Sequence, residues 1–512
     1  MRARLKATIF RLHRRFQKNM RQRRRLKGQI RHRDAMIVKL QAQVRELQAI
    51  TKPQPVFNCV YPAQMMALAV YIVLHGGPLR CAAATAGFYA EMMGWPYSAP
   101  SWKTASNWVQ RCGLHALKLT HGLKGEYVGI LDASIQIGKE QLLLLLGVKA
   151  DAVSQERPLC IEDVSVLGME VQSSWTGAAV ADFIQRNMRL RPSATLSYVI
   201  CDQGTNLLAA LRALGLPWVS DCSHVMMNLA KALFKDDKAL SRLCAQVGTL
   251  RQQLALTDWS FALPPSLRDK GRFLRIFTLV EWMGRIDGYW PMLPASMRAR
   301  LSFCRGVWLR LRLNQFYSLL AITASVLKSR GLSPDSYAEW RAEVNDYRIT
   351  QHVMTRQATA FIAAMGAYFA AYAGRYGQDG PLLCCSDIIE SIFGRYKNKG
   401  GMKAISADVL SIALYNQPVS PQFIQQAMRA VTGPQIQEWQ NDNVCHNRFG
   451  LRKRMERELK SGEGQRAQIT HPTLQHYKQH LVIAQKIKSL QDEANALGNV
   501  GNAYYLLGTR KE

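Results

Sequence analysis

The sequence predicts an α/β protein in which a mixed five-stranded sheet is interrupted by a long all-helical insertion. Two observations and a general rule of strand pairing predict this. Five apolar, β-prone runs lie between residues 127 and 220, and helical patterns alternate with the later ones. The strand pattern stops after Phe234, and leucine-rich and alanine-rich helical patterns continue to about residue 385. Strands that alternate with helices favour parallel pairing, whereas strands joined by short turns pair antiparallel.

The predicted order of elements from residue 125 to 235 is β-β-β-α-β-α-β-α. This is the order of an RNase H-like core, in which three antiparallel strands are extended by parallel ones. The predicted elements are the strands Tyr127–Ile137, Gln141–Ala150 and Leu159–Val171, the helix Trp175–Leu190, the strand Leu196–Cys201, the helix Thr205–Leu214, the strand Pro217–Ser220 and the helix Ser223–Phe234.

Residues 1–52 are predicted to form a strongly basic helix. Residues 1–50 hold 16 Lys and Arg but only two acidic residues, Asp34 and Glu46. Apolar residues at heptad spacing favour a coiled coil and hence a homodimer or higher homo-oligomer; they are Ile30, Ile37, Leu40, Val44 and Leu47. A solvated basic arm is the alternative interpretation. The prolines at 53 and 55 end the helix.

Residues 60–122 are predicted to be a helix-turn-helix-like DNA-binding domain. Two apolar helical runs are separated by His75-Gly-Gly-Pro78, and Ser101 is placed to cap a further helix. Lys103, Thr104 and Asn107 are polar residues of this last helix and the predicted DNA contacts. A helical connector without base contacts is the alternative. Trp108 is predicted to be a core residue.

The second half of the chain is predicted to be helical. Residues 236–385 form the all-α insertion, residues 386–435 complete the core with a further helix, and residues 436–512 form a polar helical tail. The tail includes a basic helical stretch, Leu451–Lys460. The insertion explains why so many residues separate the last strands from the final core helix.

The composition predicts a nucleic-acid partner. The chain has 67 Lys and Arg against 36 Asp and Glu, a net charge of +31. Such a charge binds phosphates and releases counterions, so double-stranded DNA is the expected partner. We predict no membrane segment, because the chain lacks an apolar stretch of membrane-spanning length. The eleven cysteines show no C-x-x-C pair. Their apolar surroundings, as at Cys160, Cys201, Cys244 and Cys304, favour buried free thiols in the cytoplasm.

Three acidic residues are the predicted catalytic and metal-binding residues. Asp132 lies within the first predicted strand, Asp202 directly follows the fourth, and Glu390 lies on the helix that follows the insertion. Carboxylates gathered at the ends of neighbouring strands and on a packed helix can share two divalent ions. An Asp after an apolar run is by itself more often a strand-end or capping residue. The ordered set therefore carries the prediction.

With these residues in place, the chain resembles a DDE transposase of a bacterial insertion sequence, and more narrowly the group with a helical insertion that includes Mutator-like and hAT-like transposases. The resemblance covers roughly residues 60–435. It rests on the order Asp132, Asp202, Glu390, on the position of the insertion, on Asp221-Cys-Ser-His224 as a match to the group's [C/D]-x-x-H motif, and on a basic residue two helical turns after the glutamate.

The resemblance implies binding of the terminal inverted repeats, followed by metal-dependent strand cleavage and strand transfer without a covalent protein intermediate. Two Mg²⁺ or Mn²⁺ ions would be held by Asp132, Asp202 and Glu390, since oxygen ligands suit hard cations. Lys397 and Arg395 would contact transposon-end DNA. Solvated charges on the helix surface are the alternative reading of these two residues.

Asp221 and His224 are predicted active-site auxiliary residues. In one reading they lie beside the three acids, shaping the metal site or contacting a nucleotide. In the other, Asp221 caps the following helix by accepting a hydrogen bond from the amide of residue 223 or 224, and His224 is a helix-surface histidine.

The predicted function is that of a transposase at the bacterial nucleoid in the cytoplasm. Two alternatives remain at this point. One is a catalytically silent, domesticated DNA-binding protein or regulator, which would not need all three acids. The other is a structure-selective nuclease of the same fold, which would need neither a separate N-terminal DNA reader nor a long insertion.

Overall fold

The described part of the chain contains a mixed five-stranded sheet. The computed structural model describes residues 33–34, 36–41, 52–137, 140–151, 157–267, 276–373, 380–398, 405–445, 452 and 455. The strands lie in the order β3-β2-β1-β4-β5. Their bounds are β1 Gly125–Ile137, β2 Glu140–Lys149, β3 Val164–Gln172, β4 Ala194–Cys201 and β5 Trp218–Ser220. The predicted mixed five-stranded sheet with helices is confirmed.

The sheet is antiparallel on one side and parallel on the other. β1 pairs antiparallel with β2 and β2 with β3, whereas β1–β4 and β4–β5 are parallel pairs. The leucine run of β2 is buried on both faces, because successive side chains point to opposite sides of a strand. Leu142, Leu144 and Leu146 belong to one apolar core, and Leu143 and Leu145 belong to the other.

The helices lie before, between and after the strands. Before the sheet are α1 Ala63–Leu74, α2 Leu79–Met92 and α3 Trp102–Leu119; between and after its strands are α4 Gly177–Arg189, α5 Thr205–Ala213 and α6 Cys222–Phe234. The chain then continues through α7 Lys238–Leu254, α8 Ile276–Tyr289, α9 Ala295–Leu301, α10 Val307–Arg330, α11 Pro334–Ile349 and α12 Arg356–Tyr372. The last described helices are α13 Asp387–Lys397, α14 Pro421–Ala430 and α15 Gly433–Asn443, with a 3₁₀ segment at Ala407–Leu414.

The third strand begins later than the sequence pattern indicates. The predicted strand starts at Leu159, whereas β3 starts at Val164 after a 3₁₀ turn at Ile161–Asp163. The Asp163 carboxylate accepts hydrogen bonds from the Cys160 amide at 2.7 Å and from the Arg157 guanidinium at 2.7 and 2.8 Å, which bends the segment into a turn. Cys160 is consequently exposed and not buried as predicted, and Cys244 is only partly buried, while Cys201 and Cys304 are buried.

The helices between β5 and α13 return the chain to the sheet. Leu332, after α10, forms an antiparallel bridge with Leu382, just before α13. Gly331 makes this approach possible, because a Cβ atom there would lie 2.4 Å from the Leu382 carbonyl oxygen and its φ is +66°. On the edge strand β5, the Ser220 amide donates to the Tyr372 hydroxyl at 2.8 Å, and the Tyr368 hydroxyl donates to the Ser220 carbonyl at 2.7 Å.

The three helices before the sheet pack against one another, and α1 and α3 also pack against α14. α3 contacts the 3₁₀ segment as well. Gly113 of α3 lies so close to the 3₁₀ segment that an added Cβ would be 2.2 Å from the Leu410 carbonyl oxygen. Arg111 donates to the carbonyls of Val431, at 2.7 Å, and Met428, at the C-terminal end of α14. Trp108 is buried, as predicted. The C-terminal half of α3 is therefore core, and its N-terminal turn is the part open to solvent.

The two ends of the chain are described only in part. Residues 33–34 and 36–41 are helical, and the side chains of Ile37 and Leu40 are 50% and 52% exposed. The other residues of the predicted heptad seam, and most of the predicted tail from 436 to 512, lie outside the described residues. Val444 bridges to Val171 on the outer strand β3. In the described parts of the chain, no helix combines the length and the apolar character that crossing a membrane requires.

Candidate active site

Asp132 and Asp202 meet at one end of the central strand pair. β1 and β4 run parallel, with Leu131 opposite Cys201, so the residue that follows each of them lies at the same place in the sheet. The β1–β2 register shifts between Asp132 and Ile135, so Asp132 lies at an irregularity in the ladder. Both carboxylates are fixed locally. Asp132 accepts from the Ala133 amide at 2.6 Å, and Asp202 accepts from the Gly204 amide at 2.9 Å.

Glu390 reaches the same region from α13. The helix packs on β1, and Ile389, Ile392 and Phe393 form its buried side. Glu390 lies in the first turn, and its side chain is 60% exposed. A carboxylate near a helix N-terminus is stabilised by the helix dipole. Glu390 is therefore a solvent-accessible carboxylate on a firmly packed helix.

Asp221 connects the helix of His224 to the helix of Glu390. It follows β5, and its side chain is only 1% exposed. One carboxylate oxygen, Oδ2, accepts from the His224 amide at 3.0 Å and so caps α6. The other, Oδ1, accepts from the Ser386 amide at 2.9 Å and so serves the N-terminus of α13. The predicted cap on α6 is thus confirmed, and the same carboxylate also holds α13.

Further contacts reinforce the junction between α6 and α13. The Cys222 amide donates to the Cys384 carbonyl at 2.7 Å. The Ser223 hydroxyl donates to Asp387 at 2.7 Å, and Lys328 of α10 forms an ion pair with the other oxygen of Asp387. A helix of the 236–385 segment is therefore linked to the same junction. These contacts hold the first turn of α13, which carries Glu390, at the end of the sheet.

His224 lies between two of the three predicted catalytic acids. Its Nδ1 atom is 3.8 Å from Asp202 Oδ2, and its Nε2 atom is 3.6 Å from Glu390 Oε1. The interaction with Glu390, and then the charges of Asp221, Asp202 and Asp132, raise the pKa of His224 to about 9 against the opposing effect of burial. At neutral pH the side chain is therefore an imidazolium that compensates part of the negative charge. The alternative interpretation, a solvent-exposed histidine on the helix surface, does not account for two carboxylates within 4 Å of the ring.

The pKa of the Asp132 carboxyl is raised by its buried position and by the neighbouring acids. Burial, and then the charge of Asp202 with a smaller effect from Glu390, raises the pKa of Asp132 to about 6. Neighbouring carboxylates disfavour one another's ionised forms unless a cation lies among them. Oxygen donors with uncompensated negative charge suit a hard divalent cation. The three acids therefore suit Mg²⁺ or Mn²⁺ by ligand chemistry and charge, but their ligand atoms do not all lie within 4.8 Å of one another. Among the ion pairs of the described residues, His224 is the only cationic side chain linked to these acids.

One face of α13 runs from Glu390 towards the basic end of the helix. Glu390, Gly394 and Lys397 are spaced at i, i+4 and i+7, which places them along one face. Glu390 and Lys397 are exposed, and Gly394 leaves open space between them, since nothing lies within 4 Å of a Cβ built there. Arg395 is exposed beside this face, with its guanidinium 5.8 Å from the centre of the Tyr415 ring. A phosphate backbone could approach the helix here.

The predicted DNA contacts of α3 lie around its exposed N-terminal turn. Lys103 and Asn107 are exposed, whereas Thr104 is partly buried and its amide donates to the Ser101 hydroxyl at 3.1 Å. Thr104 is therefore engaged in the helix cap. A surface pocket of about 270 Å³ lies here and is lined by Ser101, Lys103, Thr104, Asn107, Trp108 and Arg111.

Some residues that support the site could not be identified from sequence motifs or periodicity. Tyr368 and Tyr372 hold β5, and Asp387 links α13 to Ser223 and Lys328. The second role of Asp221, at Ser386, also depends on a contact between distant segments. Only the position of Asp387, three residues before Glu390 in a helix N-terminal turn, could have suggested a structural role.

The chain was compared with protein-family models and with curated proteins. No family model matches it, and none of the curated proteins matches it either.

Proposed function

We propose that the protein is a DDE transposase with an RNase H-like core. The observation that carries the proposal is the convergence of Asp132, Asp202 and Glu390 on one end of the sheet, with His224 contacting two of them. The sheet order, with three antiparallel strands extended by two parallel ones, supports the assignment of the core. The net charge of +31 supports a DNA substrate.

In the proposed mechanism, Asp132, Asp202 and Glu390 hold two Mg²⁺ or Mn²⁺ ions. Such ions activate a water or a 3′ hydroxyl and neutralise charge at the phosphate that is attacked. Asp221 is a positioning residue that fixes the helices of His224 and Glu390. His224 balances the acids in the absence of metal and can hold a proton beside Glu390. Lys397 and Arg395 bind DNA phosphates along α13, and Lys103 and Asn107 read DNA at α3.

The proposal extends to assembly and to location in the cell. Exposed Ile37 and Leu40 on a helical segment support self-association into a homodimer or higher homo-oligomer. The proposed substrates are the element's terminal inverted repeats and target DNA at the bacterial nucleoid. A silent DNA-binding protein would retain the charge but would not need three acids placed around one histidine, and this placement supports the enzyme.

The direct test is cleavage and joining of the DNA that flanks the gene. The purified full chain, with Mg²⁺, should cut at the ends of the inverted repeats and join the freed 3′ ends to target DNA. Asp132→Asn, Asp202→Asn and Glu390→Gln should each abolish both products while DNA binding is retained. Asp236→Asn is the matched control, since Asp236 is an exposed acid after α6.

The outcomes separate the alternatives. Normal cleavage by any one of the three acid variants would refute the site. Cleavage without strand transfer would indicate a nuclease. Specific binding of the repeats by the wild type, with neither product formed, would indicate a silent DNA-binding protein.

A further inference from the structure

A second set of side chains that could bind a metal ion lies at the junction of α6 and α13. The ligand atoms of Asp221, Cys222 and Cys385 all lie within 4.8 Å of one another. Cys222 is the first residue of α6, and Cys385 comes two residues before α13 begins. The backbone hydrogen bond from Cys222 to Cys384 holds the two segments together at this point. The set thus joins residues from two distant parts of the sequence.

The chemistry of this set differs from that of the three acids. Two sulfur ligands and one carboxylate select thiophilic cations, whereas all-oxygen sites select Mg²⁺. In a tetrahedral zinc site with Zn–S bonds of about 2.3 Å, ligand atoms lie about 3.8 Å apart. A small inward movement of the side chains would therefore bring the three ligands to bonding distance. Both cysteines are free thiols.

We propose that Asp221, Cys222 and Cys385 bind a thiophilic divalent cation of the zinc and cadmium class, at a site distinct from the Mg²⁺ site. Cys222 is fully buried, but Cys385 is partly exposed and gives the cation access from solvent. Ser223 Oγ lies 4.0 Å from Cys385 Sγ, at this open side. Binding would release the two thiol protons to solvent and form two metal–sulfur bonds and one metal–oxygen bond. The remaining coordination position would hold water.

The proposed site would also be coupled to the positions of His224 and Glu390. The Asp221 carboxylate that would bind the cation already accepts hydrogen bonds from the His224 and Ser386 amides. A cation there would compete for the same oxygens, so its occupancy would act on both helices. An effect on strand cleavage rests on the proposed function, but the binding of the cation does not.

Cobalt(II) is the probe that tests the site. The full chain, reduced and stripped of metal, is titrated with Co²⁺ in the presence of excess Mg²⁺, which occupies the hard-oxygen sites. A sulfur-to-cobalt charge-transfer band should appear, saturate at one equivalent and disappear when Cd²⁺ is added. Cys222→Ser and Cys385→Ser should each weaken Co²⁺ binding by at least about tenfold. Cys304→Ser and Cys112→Ser replace buried cysteines elsewhere and should leave the band unchanged.

Loss of the band must reflect lost ligands and not lost folding. Circular dichroism and thermal unfolding are therefore recorded for each variant; Cys385→Ser, at the partly exposed position, is the milder change. No charge-transfer band in the wild type, or an unchanged band in folded Cys385→Ser, would overturn the proposal. Because the readout needs neither DNA nor strand cleavage, failure of this site and failure of the proposed function are distinguishable.

Discussion

Asp221 and Ser386 are 165 positions apart in the chain, and the Asp221 carboxylate accepts a hydrogen bond from the Ser386 amide at 2.9 Å. The same carboxylate caps α6 through the His224 amide at 3.0 Å. One buried side chain thus fixes the starts of two helices. Each of these helices contributes a side chain to the candidate active site, so Asp221, which is not one of the three predicted catalytic acids, sets the positions of His224 and Glu390.

Replacing Asp221 should therefore destabilise the protein and loosen the site together. Asp221→Ala leaves two backbone amides without their acceptor, and we expect a loss of about 2–4 kcal/mol in the free energy of unfolding. Asp221→Asn keeps one oxygen acceptor and should lose less. Denaturant unfolding measures both values. Asp163→Ala is a control that removes a carboxylate cap from the turn before β3.

The pKa of His224 distinguishes a positioning role of Asp221 from a role in stability alone, because this pKa depends on the contact between His224 and Glu390. In a folded Asp221→Asn protein, the pKa of His224 should fall towards its usual range, because the Asp221 charge is removed and the imidazole would no longer be held beside Glu390. NMR of the His224 ring measures this. An unchanged His224 pKa in that variant would contradict the positioning role.

His224 should make the stability of the metal-free protein depend on alkaline pH. Its folded pKa of about 9 lies above the ordinary value of 6.5. The stabilisation is thus fully present below about pH 6.5 and is lost as the pH rises through about 9. The free-energy difference between wild type and His224→Asn should therefore be large at pH 6 and small at pH 10. A difference that does not change over this window would contradict the assigned ion pairs.

Asp132→Asn should stabilise the metal-free protein at neutral pH. The folded pKa of Asp132, about 6, lies above its ordinary value of 3.8. Ionised Asp132 is therefore unfavourable in the folded state, and stability falls as the pH rises from about 3.8 to about 6. Removing the charge should add about 2–3 kcal/mol at pH 7 and little at pH 4. Paired thermal and denaturant unfolding at the two pH values checks this.

Mg²⁺ should reverse that order of stability. A cation that binds the folded state only raises its stability, so the wild type should gain with added Mg²⁺ while Asp132→Asn gains little. Equal gains in both proteins would show that Mg²⁺ binds elsewhere.

Lys103 and Asn107 should contribute to DNA binding in different ways. Lys103→Ala should weaken binding to all sequences and reduce its salt dependence, because a lysine most often contacts phosphate. Asn107→Ala should lower the preference for the terminal repeat by about 1–3 kcal/mol if it reads a base. Lys124→Ala is the matched control, an exposed lysine beyond α3. Gel-shift titrations over a range of salt measure both effects.

The full chain is the right material for this test. Gly113 of α3 packs directly against Leu410, so a fragment that ends near residue 125 would expose the buried half of the helix. If both variants bind repeat and scrambled DNA as the wild type does, α3 is a helical connector and not a DNA reader.

The sequence alone determined the elements of the core and the order of its acids. Alternating and continuous apolar patterns predict the ends of β1, β2 and β4 to within two residues. Burial on one face of a strand requires apolar residues at every second position, and burial on both faces requires a continuous apolar run. The predicted start of β3 was too early, because the Asp163 carboxylate accepts hydrogen bonds from Arg157 and Cys160 and so forms a turn. Side-chain hydrogen bonds of this kind do not change the periodicity of apolar residues.

Only the tertiary structure decided what lies together. The sequence places Asp221 before a helix, and capping is a local interaction, so this role could be predicted. Its contact with Ser386, the position of His224 between Asp202 and Glu390, and the approach of Cys222 to Cys385 all join segments that the long 236–385 region separates. Such contacts arise from the way helices pack back onto the sheet, and packing over that distance leaves no periodic signal in the chain.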